Sequence, residues 1–127
     1  FPLRDDVPER IHFSRVHDLD EVFVITKPYL NFSVYHIYND HYEISRGCEG
    51  KCAFCMGGFT SLPYRSRSAE LVKQTMDTII HETGNTAVTP VSFNSVSHPE
   101  INRIVRDLTD AVGEKVSLIS MRLSRGT

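Results

Sequence analysis

The chain has 127 residues, of which 40% are apolar and 24% charged, a balance typical of a globular domain. Its net charge of −2, from 14 basic and 16 acidic side chains, argues against a nucleic-acid-binding protein. No apolar run approaches the ~20 residues of a membrane-spanning helix, and the charged start does not have the pattern of a signal peptide. Because the chain opens on Phe rather than Met, we expect a segment of a longer protein.

The first forty residues predict an extended linker. Pro2, Pro8 and Pro28 break any helix here. Apolar and polar residues partly alternate over 31–38, which indicates a strand or an arm lying on a neighbour. We therefore expect residues 1–40 to form an N-terminal arm and residues 41–127 to form the first part of an α/β domain.

A strand, a loop and a helix open the second region. Residues 42–45 predict a strand that runs directly into a loop ending at Pro63. Ser68 is a favourable N-cap for an amphipathic helix, and Gly84 is placed to end that helix. The basic residues near the start of this helix could contact a phosphate or a carboxylate, but we expect a solvated surface there; they are Arg65, Arg67 and Lys73.

Two further strands and one helix follow. Residues 86–93 predict a strand, although Pro90 cannot donate to a ladder. Residues 98–100, with proline in the middle, predict the start of a helix that Gly113 ends. Residues 115–121 predict a third strand.

Alternating strands and helices predict a parallel sheet with right-handed crossovers. Chemistry in such folds gathers at the carboxyl ends of the strands. The loop after the first strand, Asn94 and Ser95 after the second, and Arg122 after the third should therefore lie near one another. Three parallel strands leave open edges, so we expect more strands beyond Thr127.

The loop after the first strand contains every cysteine of the chain. Cys48, Cys52 and Cys55 have the spacing C-x3-C-x2-C. Thiolates this close can converge on one inorganic centre, and three of them are one short of a closed four-ligand site. The vacancy suits a [4Fe–4S] cluster with one iron free for a substrate. An odd number of cysteines in so short a span does not resemble a secreted disulfide framework and favours a reducing cytoplasm.

Two other interpretations of the cysteines stay open. A zinc site could add His41 or His98 as a fourth ligand, but zinc modules usually present two separated pairs of ligands. A redox pair formed by Cys52 and Cys55 would leave Cys48 without a role.

The cysteine spacing, with Phe54 before the last cysteine and a βα repeat after the loop, resembles the radical S-adenosylmethionine (SAM) superfamily. Residues 43–48, together with 65–68 and the helix that follows, resemble the branch that contains cobalamin-binding radical SAM enzymes and the related methylthiotransferases. Residues 16–20 and 26–28 resemble the linker that joins an upstream cobalamin-binding domain to the barrel.

This resemblance implies a partial (βα) barrel of TIM type, comprising its first three β/α units after an extended linker. The three cysteines would hold a [4Fe–4S] cluster that reductively cleaves SAM to a 5′-deoxyadenosyl radical. The Gly-Gly-Glu run that many members place after the second strand is replaced by residues 92–95. The expected cofactor-binding residues are Phe54, Gly57, Gly58, Ser95 and Arg122.

The resemblance further implies methylation or carbon-skeleton modification with cobalamin, carried on a domain outside this chain. The alternatives are a methylthiotransferase acting on tRNA or a ribosomal protein, and a non-enzymatic Cys3His zinc module. A radical SAM enzyme would need an electron donor of flavodoxin or ferredoxin type. Because the cofactors would carry the chemistry, the lack of an acid–base constellation in the sequence is expected.

Overall fold

A computed structural model describes residues 6, 8, 10, 12–27, 39–113 and 115–122. The predicted strand over 31–38 lies outside the described residues. The described part is a mixed α/β domain. Its elements, in chain order, are β1 (Asn39–Glu43), β2 (Ser45–Arg46), α1 (Gly57–Thr60), β3 (Arg65–Ser66), α2 (Ala69–Thr83), β4 (Ala87–Val91), a short 3-10 helix (Ser95–Ser97) and α3 (Ile101–Val112).

The central sheet is a parallel pair formed by β1 and β4, with Tyr42 opposite Pro90. The two strands are joined through α2, so the predicted parallel β–α–β unit is confirmed. β1 begins before the predicted strand and ends at Glu43. Ile44 then changes partner, because its N–H donates to the Val91 carbonyl at 3.0 Å while its carbonyl accepts from Arg67 N–H at 2.9 Å.

The predicted third strand over 115–121 is wrong, because the structure has a single parallel bridge there between Val88 and Val116. Val88 uses both its backbone groups on this segment, donating to the Lys115 carbonyl and accepting from Ser117 N–H. Along a strand, every second residue faces the same neighbour. Pro90 therefore faces the segment without an N–H, and the ladder cannot continue.

No barrel is formed by the described strands, which make two separate two-stranded sheets. No helix in the described ranges is long and apolar enough to cross a membrane.

The core lies between the central sheet and the two long helices. α2 has the predicted caps: the Ser68 side chain accepts from Leu71 N–H, and Gly84 ends the helix in a left-handed conformation. The predicted apolar face of α2 is confirmed, and α3 also buries residues in the core, namely Ile104 and Leu108. The buried core comprises Tyr42, Ile44, Ala69, Val72, Met76, Ile79, Val88, Ile104 and Leu108.

α3 begins at Ile101 rather than at residues 98–100, so the predicted start is wrong. The His98 ring accepts a hydrogen bond from Glu100 N–H at 3.0 Å, which holds residues 98–100 in a turn. Pro99 lies in this turn and not in the first helical position. Gly113 ends the helix as predicted.

The predicted continuous loop up to Pro63 is also wrong, since the chain forms a closed excursion with a helix in it. We call residues 47–64 the cysteine excursion. Its base is the antiparallel pair of β2 and β3, and α1 lies within it. Gly47 starts the excursion at φ +88°, and a Cβ there would lie 2.6 Å from the Ser61 carbonyl oxygen. Any other residue at position 47 would collide with the returning chain.

The described part of the N-terminal arm is docked on the domain. Leu19 is 1% exposed, and its carbonyl accepts from the guanidinium of Arg67. The Asp20 carboxylate accepts from Ser68 N–H at 3.0 Å, at the N-terminus of α2. Arg67 is only 3% exposed, so the prediction of a solvated side chain is wrong for this residue. The division of the chain at residue 40 stays a prediction.

Candidate metal centre

Three segments meet beyond the carboxyl ends of β1 and β4. The cysteine excursion is one, the turn after β4 is the second, and residues 117–122 are the third. Ser95 N–H donates to the Ser120 carbonyl at 3.1 Å, and Arg122 N–H donates to Asn94 Oδ1 at 2.9 Å. The guanidinium of Arg122 reaches the excursion, where Nη1 lies 3.6 Å from Cys52 Sγ. The three segments predicted to lie together are therefore in contact.

Two of the cysteines flank Gly50. The Gly50 N–H donates to Cys48 Sγ at 3.3 Å. A Cβ at position 50 would lie 3.4 Å from Cys48 Sγ, 3.7 Å from Cys52 Sγ and 3.0 Å from Arg122 Nη1. The absence of a side chain at Gly50 thus lets two sulfurs and a cation approach its backbone closely. Backbone N–H groups and cations at sulfur are the groups that tune an iron–sulfur cluster.

Cys55 stands apart from this pair. All three cysteines are free thiols of intermediate exposure, and Cys55 N–H closes a turn by donating to the Cys52 carbonyl at 3.0 Å. Across the ranges the structure describes, no three His, Cys, Asp or Glu side chains are grouped to hold a metal ion. The structure therefore brings Cys48 and Cys52 together at Gly50, without Cys55 as a third ligand in this conformation.

The glycines predicted to approach a cofactor have close neighbours. A Cβ at Gly57 would lie 3.4 Å from the ring of Phe93, and a Cβ at Gly58 would lie 3.0 Å from the Gly50 carbonyl oxygen. Gly58 is buried, and its lack of a side chain allows α1 to approach the Gly50 carbonyl closely. Phe93 was not expected from the sequence. Its signal is an aromatic residue just past the carboxyl end of a parallel strand.

The other two predicted cofactor residues have contrasting surroundings. Phe54 is 92% exposed and is free to cover a ligand. Ser95 is fully buried, and its hydroxyl donates to the Ile119 carbonyl at 2.6 Å. Ser95 thus joins the turn after β4 to the third segment, a structural contact that uses its hydroxyl proton.

Tyr64 ends the excursion, and its hydroxyl is buried without a hydrogen-bond partner among the described residues. Burial raises the pKa of the Tyr64 hydroxyl, and the neighbouring Glu49 and Cys48 raise it further. Tyr64 therefore stays a neutral hydroxyl at physiological pH. The sequence analysis did not single it out, because nothing local marks its proximity to the cysteine.

His98 is committed to the fold, which bears on the zinc interpretation. Its Nδ1 accepts from Glu100 N–H, so the ring proton sits on Nε2 and is donated to the Arg67 carbonyl at 2.9 Å. The ring is 2% exposed, and burial lowers the pKa of His98. Neither nitrogen has a lone pair free for a metal. Of the two histidines named as a possible fourth ligand, this leaves His41, which is exposed on β1.

Searches of family models, curated proteins and solved structures find no match to this chain. The fold and site together define an α/β domain with a three-cysteine excursion at the carboxyl edge of a parallel strand pair. Any narrower assignment depends on the residues themselves.

Proposed function

We propose that this chain is part of a radical SAM enzyme in which Cys48, Cys52 and Cys55 hold a [4Fe–4S] cluster. One observation carries the proposal: all three cysteines lie in an excursion that leaves β1 at the carboxyl edge of a parallel β–α–β unit. Cofactor sites in α/β folds form at this edge. In this proposal the described β–α–β unit is the start of a longer (βα) barrel.

The donor set fits such a cluster. Three free, partly exposed thiols occupy a span of eight residues, and two of them already lie beside Gly50. When bound, the cluster would supply an electron to SAM and leave one iron open for the amino and carboxylate groups of SAM. Cys55 must move to join the other two sulfurs. Only one backbone hydrogen bond closes the turn between Cys52 and Cys55, so this adjustment is local.

The surrounding side chains of this chain would bind and orient. The guanidinium of Arg122 offsets negative charge at the sulfurs, and the Gly50 N–H donates to Cys48. The exposed ring of Phe54 offers a flat apolar surface to the adenine of SAM. The close approach of Gly58 to Gly50 keeps the loop compact.

The wider assignment follows the resemblance. We place the enzyme in the cytoplasm, with a flavodoxin- or ferredoxin-type electron donor docking near the exposed excursion. The reaction is methylation or carbon-skeleton modification with cobalamin on a domain outside this chain. Sequence upstream of Phe1 separates this from a methylthiotransferase, which would carry a second cluster there.

Anaerobic reconstitution with iron and sulfide tests the proposal. We expect about four irons and four sulfides per chain, with the absorbance of a [4Fe–4S] cluster. Cys55→Ala should lose the cluster, because one of only three protein ligands is removed, and SAM cleavage by the full-length enzyme should be abolished. Met56→Ala is the matched control, since Met56 is 78% exposed beside Cys55 and should leave iron content unchanged.

The competing outcome is equally concrete. A colourless protein that binds one zinc ion tightly and assembles no cluster would refute the proposal and favour the zinc module. Retained 5′-deoxyadenosine production by Cys55→Ala would refute the ligand assignment.

A further inference from the structure

A second candidate site lies where the docked arm faces the cysteine excursion. Here the structure has a cavity of about 650 Å³, within the range of small-molecule sites. Its walls come from residues 13–16 of the arm and from Arg46, residues 59–62 and Arg65. None of the three cysteines lines it, so it is separate from the candidate metal centre.

The cavity carries unbalanced positive charge. Among the described residues, Arg15, Arg46 and Arg65 line it, and no acidic side chain does. Arg46 is neutralised by a two-pronged ion pair with Glu43, at 2.8 Å and 2.6 Å. Within the described part of the chain, no carboxylate pairs with Arg15 or Arg65, and the guanidinium of Arg15 has no hydrogen-bond partner. Arg15 and Arg65 are therefore available to bind an anion.

Arg65 is held in place by backbone carbonyls. Its Nη1 donates to Val16 at 2.7 Å, its Nε to Pro63 at 2.9 Å and its Nη2 to Ser61 at 3.2 Å. These bonds neutralise no charge and leave the guanidinium with unused N–H groups, since arginine has five donors. They also fix the arm against the excursion, so the walls of the cavity are positioned before a ligand arrives.

Two phenylalanines complete the walls. Phe13 on the arm is 80% exposed and Phe59 on α1 is 53% exposed, although both line the cavity. Exposed rings on a concave, cationic surface match a ligand that is flat and apolar at one end and anionic at the other.

We propose that this cavity binds a mononucleotide, with its phosphate at Arg15 and Arg65 and its base against Phe13 and Phe59. A phosphate monoester carries close to two negative charges near neutral pH and suits two arginines better than a carboxylate does. The net charge of −2 for the whole chain favours a free nucleotide over a nucleic acid. The site is independent of the cluster, and its occupancy needs none of the cysteines.

Calorimetric titration of the whole chain with guanosine monophosphate tests the proposal. This nucleotide is chosen because its base differs from the adenine of SAM. We expect binding that Arg15→Gln weakens about tenfold, through loss of a charge-assisted contact, while Arg106→Gln on the exposed side of α3 leaves it unchanged. Phe13→Ala should weaken binding by a similar factor through lost stacking, and Phe23→Ala, at an exposed ring outside the cavity, should not.

Further titrations show whether the base, the phosphate or a longer nucleic acid accounts for the binding. Guanosine and inorganic phosphate should each bind at least tenfold more weakly than the nucleotide. A variant with serine at all three cysteine positions should bind the nucleotide as tightly as the wild type, which keeps this result separate from that for the cluster. If a short RNA binds more tightly than the nucleotide, and Arg15→Gln removes that tighter binding, the ligand of the cavity is RNA rather than a free nucleotide. Absence of nucleotide binding, or binding unaffected by Arg15→Gln, would overturn the proposal.

Discussion

Apolar side chains are buried in the helical core and exposed in the cysteine excursion. In the core, Met76, Ile104 and Leu108 are at most 1% exposed. In the excursion, Phe54 and Met56 are 92% and 78% exposed. The core side chains are covered by their neighbours, whereas Phe54 and Met56 are left largely uncovered by the described residues. Exposed apolar groups gathered at one place mark a site for a partner or ligand.

The same contrast holds for polar groups. The N-terminus of α2 is closed by three acceptors, since Asp20, the Ser68 hydroxyl and Glu100 take the first backbone donors. In the excursion, the sulfurs of Cys48 and Cys52 receive only a long contact each. Three backbone donors at the start of α2 therefore have side-chain acceptors, whereas the two sulfurs keep bonding capacity for a ligand.

The largest expected effect comes from the core. Leu108→Ala should lower the free energy of unfolding by about 2–5 kcal/mol, because it leaves a cavity among the buried side chains of α2 and α3. Phe54→Ala, which removes a larger but exposed side chain, should change it by about 0.5 kcal/mol or less. Urea denaturation measures both. A large loss for Phe54→Ala would show that the excursion is packed and would remove the contrast.

A smaller effect separates two glycines with positive φ. Gly84→Ala should cost about 1 kcal/mol, from the left-handed backbone alone, because nothing lies within 4 Å of a Cβ there. Gly47→Ala should cost about twice as much or more, because its Cβ would also meet the backbone oxygens of Ser61 and Pro63 at 2.6 Å and 2.8 Å. Equal losses of stability in thermal unfolding would mean that the excursion closes more loosely than its β2–β3 base indicates.

The smallest effect is a pH dependence that belongs to the core. Burial holds the pKa of His98 below its ordinary value of 6.5 in the folded chain. On acidification the unfolded chain therefore takes up a proton first, so the stability from neutral His98 is present above about pH 6.5 and is lost as pH falls through the folded pKa.

His98→Gln should flatten this acid-side loss in urea unfolding midpoints measured between pH 7 and pH 5, because glutamine does not titrate and can still donate to the Arg67 carbonyl. His41→Gln, at an exposed histidine, is the control and should keep the wild-type slope. An unchanged slope in His98→Gln would mean that another group controls the acid sensitivity.

Features fixed by neighbouring residues could be predicted from the sequence. The bounds of α2 follow from Ser68 and Gly84, and the parallel β1–β4 pair follows from the β–α–β order. The start of α3 was misplaced because Glu100 has φ −109° and ψ 23°, outside the helical region, so the helix begins at Ile101. The predicted third strand does not form because Pro90 has no N–H to offer the segment beside β4. β4 itself still pairs with β1, so the proline does not disrupt its own strand.

In the candidate site, too, the features set by neighbouring residues could be predicted and those set by distant residues could not. The cysteine spacing is visible in eight consecutive residues, and it predicts the chemistry. The close packing at Gly50 depends on Arg122, which lies at the far end of the described chain. The burial of Arg67 depends on the Leu19 carbonyl in the arm, and no short pattern records that contact.

The central claim is that the excursion holds a four-iron cluster through three cysteines and leaves one iron without a protein thiolate. Mössbauer spectroscopy of the chain reconstituted with iron-57, recorded with and without SAM, tests this most directly. We expect about three irons of one kind and one distinct iron whose signal changes when SAM is added. A protein with no cluster, or with four irons that are equivalent and indifferent to SAM, would contradict the account.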